Sequence, residues 1–215
     1  MNIKRSFLNI IFATLLLHIF FGHSSGQVRS YGLKIGTAAS RLDFDYAADI
    51  DYNINTHYRW GVNVGVFIEV LDVSSLSVVG SLDYTQKGVG FKLVEATPAH
   101  PEGIEGTKSL ADELDYLSLS ILLKPRIDVQ FGEFYLLAGP RLDVLLRVLN
   151  EYSIYTHFRD GAYGVTIGGG FMVPDVVARS VGLEIQYSPN FGKEYSSNKL
   201  SITCTSVQIL LVLEL

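Results

Sequence analysis

Three histidines, His57, His100 and His157, are the side chains best suited by type to proton transfer, and Glu151, Ser153 and Asp160 lie near the last of them. Nucleophilic or general-base work needs a histidine within hydrogen-bond reach of its partner. No recognisable spacing links these residues, and all of them fall in polar stretches that read as connections. Solvated loop side chains explain them better. The order His157-Phe-Arg-Asp160 has no metal-ligand spacing, and Gly168-Gly-Gly170 lacks the Gly-Lys-Ser/Thr that completes a phosphate loop. Glycines at a bulge, or facing a large side chain, account for that run. Cys204 is the only cysteine, so no internal disulfide can form, and it reads as a small strand residue. The expectation is a protein without catalytic residues, metal or cofactor.

A second set of chemically capable residues is more regular. Lys34, Glu69, Asp83, Lys87, Lys124, Arg141, Asp143 and Glu184, with Gln208, each occupy the polar phase of an alternating segment. The stretch from Arg59 to Val70 shows the pattern. Trp60, Val62, Val64, Val66, Ile68 and Val70 take one phase, and Arg59, Gly61, Asn63, Gly65, Phe67 and Glu69 take the other. A period of two sustained over this length predicts a β-strand with one apolar and one polar or small face. About 9–11 tilted residues suffice for such a strand to cross a bilayer.

The pattern recurs in eight segments, at residues 31–40, 59–71, 76–91, 116–127, 133–146, 163–173, 180–188 and 200–215. The connections alternate between long, such as 41–58, 92–115 and 147–162, and short, such as 72–75, 128–132 and 174–179; the last, 189–199, is moderate. Long outer loops and short periplasmic turns alternate in this way in antiparallel membrane barrels, and eight strands is the minimum number. Both termini then fall on the periplasmic side. Residues 95–113 are the connection expected to move most. Trp60, Tyr84, Tyr116, Tyr163 and Tyr187 fall near the expected outer strand ends, and Phe131, Phe134 and Phe171 near the inner ends. Two aromatic girdles are expected at the membrane interfaces. The sequence-based fold is therefore all-β, an eight-stranded antiparallel transmembrane β-barrel.

Composition agrees. The chain of 215 residues has 12 Tyr, 12 Phe and 20 Gly, and 48% of it is hydrophobic, yet no apolar run after residue 26 is long enough for a membrane helix. A closed barrel is the only sheet that leaves no unpaired backbone edge in lipid. Residues 1–26 carry Lys4 and Arg5, an apolar run and the small residues Ser24 and Gly26, the order of a secretory signal peptide cleaved before Gln27. Residues 27–215 form the barrel domain. That mature chain has 15 basic and 22 acidic residues, a net charge of −7, which disfavours a nucleic-acid surface. The expected location is the outer membrane of a double-membraned bacterium, with lipid as the surrounding partner.

Three motifs carry a family resemblance. Leu82-Asp-Tyr-Thr-Gln-Lys-Gly88, Tyr116-Leu-Ser-Leu-Ser-Ile-Leu-Leu-Lys124 and Phe134-Tyr-Leu-Leu-Ala-Gly-Pro140 resemble, in order and spacing, the third, fourth and fifth strands of PorT-like outer-membrane β-barrel proteins. The sequence departs from that pattern at Ser120, where the family usually has proline. It also ends at Leu215 rather than at the aromatic residue common in outer-membrane barrels. The resemblance implies a small outer-membrane barrel, some relatives of which are linked to protein secretion. It implies no catalytic residues.

The resulting expectation is a non-enzymatic structural or interaction protein, an accessory of secretion or envelope assembly. An eight-stranded lumen is just wide enough for side chains to fill it, so the inward charges are expected to pair as a structural plug. Protein partners would be met by the outer loops. The acidic and aromatic stretch with Asp43, Asp45, Asp49 and Asp51 is one candidate contact for a cation or a protein surface. The alternatives are a small-solute pore, a rim-located outer-membrane hydrolase using His57 or His157, and a soluble secreted β-domain. The oligomeric state is left open.

Overall fold

The computed structural model describes residues 28–46, 56–73, 75–97, 100–150, 158–176, 179–196 and 200–215. Residues 1–26, read above as a signal peptide, lie outside them, as do Asp49, Asp51, Glu151, Ser153 and His157.

Among the described residues nine strands follow one another: β1 (Ser30–Tyr46), β2 (Thr56–Val73), β3 (Leu76–Thr97), β4 (His100–Val129), β5 (Gly132–Asn150), β6 (Gly161–Val176), β7 (Arg179–Pro189), β8 (Tyr195–Ser196) and β9 (Leu200–Glu214). Each of β1 to β7 pairs antiparallel with the next, β7 pairs with β9, and β9 returns to β1, so eight strands close a ring. The two-residue β8 adds to the outer part of β9. Closure runs from Gly32 opposite Glu214 to Tyr46 opposite Leu200. It satisfies the backbone groups that an open sheet would leave bare in lipid.

Strand alternation sets the two faces. On β2, Trp60, Val62, Val64 and Val66 point outward and are exposed, while Asn63, Gly65, Phe67 and Glu69 are buried in the lumen. Leu33 and Ile35 on β1, Leu183 and Ile185 on β7 and Ile209 and Leu211 on β9 continue the outer apolar belt. Trp60, Tyr163 and Tyr187 stand on that belt, and Phe131, Phe134 and Phe171 cluster at the other end, with ring centroids 4.4 Å apart for Phe134 and Phe171 and 5.8 Å for Phe131 and Phe171.

The structure corrects the sequence reading at three places. Tyr116 is not a girdle residue. It is fully buried in the lumen beside a register shift in the β4–β5 ladder, where Asp115 faces Arg147 but Tyr116 faces Leu145. The stretch 92–115 is not a loop. The β3–β4 ladder runs on from Lys92 opposite Ser109 to Thr97 opposite His100, beyond the last β2 partner at Phe91 and the last β5 partner at Asp112. Pro101 and the glycines suggested a loop, but a strand without a neighbour on one side tolerates a missing N–H. Asp43 and Asp45 belong to β1, opposite Thr203 and Ser201 of β9, rather than to a loop.

Candidate functional site

The lumen gathers the charged side chains into tiers. At the periplasmic end Glu69 of β2 is fully buried. It accepts from Lys124 Nζ at 2.8 Å, Arg29 Nη1 at 2.6 Å, Arg126 Nη1 at 3.4 Å and Ser77 Oγ at 2.6 Å. Glu133 shares these cations, with Arg29 at 2.6 Å and Lys124 at 3.1 Å. Arg29 precedes β1 and is also tied by its backbone N–H to the Glu69 carbonyl at 2.9 Å. The start of the described chain is thus fastened across the barrel mouth.

One tier further in, Lys34 Nζ lies 2.8 Å from Glu184 Oε1, and Glu184 also accepts from Tyr135 Oη at 2.9 Å and Gln186 Nε2 at 2.6 Å. Phe67, Val79, Leu122, Tyr135, Leu137, Met172 and Val212 form an apolar cluster around this pair. Gly170 permits the arrangement, since a Cβ there would collide with the Tyr135 hydroxyl. That is the large inner side chain which the glycine run 168–170 faces. A void lined by Lys34, Phe67, Lys124, Tyr135 and Glu184 has room for about one water.

In mid-lumen, Asp83 accepts from Ser81 Oγ at 2.8 Å and packs where Gly65 lacks a side chain. It has no ion-pair partner within 4 Å among the described residues, so it stands apart from the other seven charged residues picked out above. Asn63 bridges Thr85 at 2.8 Å and Gln208 at 3.1 Å.

In the outer tier Lys87 Nζ lies 2.6 Å from Asp143 Oδ2, and Arg141 Nε lies 3.0 Å from Asp143 Oδ1. Arg141 also bonds Asn190, Thr166 and the Ser188 carbonyl. Glu194, fully buried, accepts from Tyr116 Oη at 2.5 Å and from the Asn190 amide. Above them Leu42, Val89, Leu114, Ile202 and Cys204 form a second apolar cluster with Tyr116. At the outer rim Arg59 pairs with Glu113, Arg147 Nε lies 2.8 Å from Asp115, and Arg41 lies 2.7 Å from Asp43 and over the Tyr58 ring.

Seven of the eight charged residues singled out from the sequence therefore meet a partner: Lys34 with Glu184, Lys124 with Glu69, and Lys87 and Arg141 with Asp143. The sequence reading missed Arg29, Arg126, Glu133, Tyr135 and Glu194. Arg126, Glu133 and Tyr135 share the inward phase of their strands and could have been found by extending it. Arg29 precedes β1, outside any alternating segment, whereas Glu194 continues beyond Pro189 the inward phase of Glu184, Gln186, Ser188 and Asn190 and could have been found by extending it. Among the rim residues, His57 lies near the start of β2, exposed and opposite Gly90, and His100 opens β4 opposite Thr97. Asp160 is exposed just before β6. No group of three or more His, Cys, Asp or Glu side chains placed to hold a metal occurs among the described residues.

This arrangement of apolar belt, closed ring and filled polar lumen agrees with sequence comparison, in which residues 26–196 match the family described as outer membrane protein beta-barrel domain. The chain belongs to that family. As an outer membrane protein beta-barrel domain, it is an integral outer-membrane protein. A solved structure shares the fold. The outer membrane protein OprG from Pseudomonas aeruginosa is similar over 90% of this chain and 98% of its own, at 11% identity and a TM-score of 0.54. Neisserial surface protein A is similar over 86% of this chain and 96% of its own, at 11% identity and a TM-score of 0.44. No curated protein matches the sequence significantly.

Proposed function

We propose that this outer-membrane barrel is non-enzymatic, is closed to solutes, and serves as an interaction or structural protein accessory to secretion or envelope assembly, in the manner of the PorT-like proteins it resembles. The carrying observation is the filling of the lumen: the described interior is occupied by two apolar clusters and by ion-paired tiers contributed from around the ring. An interior of this kind suits rigidity better than transport. Burying ions is tolerable only when they are paired and hydrogen-bonded, and each pair then fixes the strands that supply it.

The resemblance motifs support the same reading. Asp83 and Lys87 of the first, Tyr116 and Lys124 of the second and Tyr135 of the third all face the lumen, so the shared residues build the plug rather than a surface site. With the lumen filled, contact with partners falls to the outer end, where the β3–β4 ribbon stands beyond its neighbours. Residues 1–26 act as the export signal in this reading, and the mature protein begins at Gln27.

The experiment is a chromosomal deletion followed by complementation. Loss of surface delivery of secreted proteins, restored by the full chain but not by a folded variant with residues 93–108 replaced by a short turn, supports the reading. Normal delivery in the deletion strain contradicts the secretion role. Mass measurement of the mature chain tests the cleavage site.

A further inference from the structure

The connection after β7 does not behave as a surface loop. β7 ends at Pro189, which has no N–H with which to continue the ladder. Residues 190–196 then cross the outer end of the wall between β6 and β9. The Asn190 and Glu194 N–H groups donate to the Cys204 and Ile202 carbonyls of β9 at 2.9 and 2.8 Å, and those of Phe191 and Gly192 donate to the Tyr163 carbonyl of β6 at 2.9 and 3.0 Å. Asn190, Gly192 and Glu194 are buried, and Phe191 and Lys193 are exposed.

Among the described residues the Glu194 carboxylate shares with Asp83 the lack of a cation within 4 Å, and it alone of the two lies in the segment after β7. The carboxylates Glu69, Asp143 and Glu184 each meet a cation, whereas Glu194 is held by two neutral donors, the Tyr116 hydroxyl and the Asn190 amide, with no cation within 4 Å among the described residues. Lys87, the nearby lysine, is committed to Asp143. A buried carboxylate without a counter-ion keeps most of its desolvation cost. The segment is also tied by the pairing of Tyr195 and Ser196 with β9, by the Arg159 N–H to the Glu194 carbonyl at 2.7 Å and by Arg141 to the Asn190 side chain. Among the described residues the Tyr116–Glu194 bond is thus its one side-chain tie to the lumen that lacks a cation, and an element resting on such a tie can take two positions.

We propose that residues 190–196 are a movable stopper for the outer mouth of the barrel and that Glu194, held to the wall by Tyr116 and oriented by Asn190 of the same segment, is its latch. The proposal rests on the filled lumen argued above and adds where the filling can open. The latch works through hydrogen bonding rather than charge, because both of its donors are neutral.

Cys204 provides the test. It is the only thiol of the chain, it is 1% exposed, and it packs against Tyr116 directly inside the stopper. The full mature chain, refolded into lipid vesicles, is treated from outside with a charged, membrane-impermeant methanethiosulfonate. Wild type should react slowly until it is unfolded. Glu194→Ala, and to a lesser degree Tyr116→Phe, should react about tenfold faster or more, as expected for loss of a buried hydrogen bond. Glu194→Gln keeps an acceptor oxygen for Tyr116 and should react as slowly as wild type. A heat-shift gel with an unchanged transition temperature separates local opening from a weakened barrel. Should Glu194→Ala fail to fold, Tyr116→Phe decides alone. Folded variants that react at the wild-type rate would overturn the stopper and leave the filled lumen standing. A folded wild type whose Cys204 reacts at once would instead overturn the filled outer lumen itself.

Discussion

Lys34 of β1 and Glu184 of β7 meet at 2.8 Å inside the barrel although β9 stands between their strands. The pair spans the place where the last strand closes on the first, and it joins positions 150 residues apart. Closing a ring requires the chain's two ends to find each other, and this ion pair gives the closure a buried, directional contact. It also commits both charges to one geometry, because both are buried from bulk solvent.

Removing one partner of that pair should therefore cost more than a surface ion pair would. Lys34→Met is expected to destabilise the barrel by about 3 kcal/mol, since Glu184 is left buried and uncompensated. Adding Glu184→Gln should recover most of the loss. Denaturant unfolding in lipid vesicles measures both, and a loss confined to a few tenths of a kcal/mol would show that the pair is not buried as described.

The glycine run on β6 gives a steric prediction. A side chain at Gly170 would meet the Tyr135 hydroxyl, which holds Glu184. Gly170→Val should cost about 1–3 kcal/mol through overpacking, and Tyr135→Leu in the same chain should relieve part of it. Equal stability of Gly170→Val and wild type would contradict the inward position of Tyr135.

Leu71 adopts a left-handed backbone, φ 57°, at the end of β2 where the ladder with β3 shifts register. A residue with a branched side chain pays about 1 kcal/mol there relative to glycine. Leu71→Gly should accordingly raise the unfolding midpoint slightly. A lowered midpoint would mean that the outward contact of Leu71 outweighs its backbone strain.

Trp60, the only tryptophan, is 64% exposed on the outer belt of the ring. Its emission in vesicles should be blue-shifted and quenched by brominated acyl chains, because an interfacial indole sits at the edge of the hydrocarbon. Emission typical of water, unaffected by brominated lipid, would contradict the assignment of this face to the membrane.

Most of the wall was legible in the sequence, because a closed barrel writes its two faces at a strict period of two. Lys34, Lys87, Lys124 and Glu184 could be placed inside from the alternation of their neighbours alone. The reading failed where position along a strand was weighed over its phase, or where no strand was expected. Tyr116 keeps the inward phase of Ser118, Ser120, Leu122 and Lys124, but its place near a strand end suggested a girdle instead. The β3–β4 ribbon was hidden because Pro98, Pro101, Gly103 and Gly106 read as loop chemistry, and pairing between two extended strands can override that signal. Glu194 keeps the inward phase of Glu184, Gln186, Ser188, Asn190 and Gly192, but it lies past Pro189, in a stretch that reads as a connection. Which residue would pair with which was likewise illegible, since Lys34 with Glu184 depends on register across three strands.

In the proposed function this barrel's lumen is closed by its own side chains. Single-channel recording of the refolded mature chain in a planar bilayer, after a heat-shift gel has established folding, tests it most directly. A silent bilayer is the predicted result. Steady, reproducible current steps from the folded wild-type barrel would contradict the account and make the lumen a conduit.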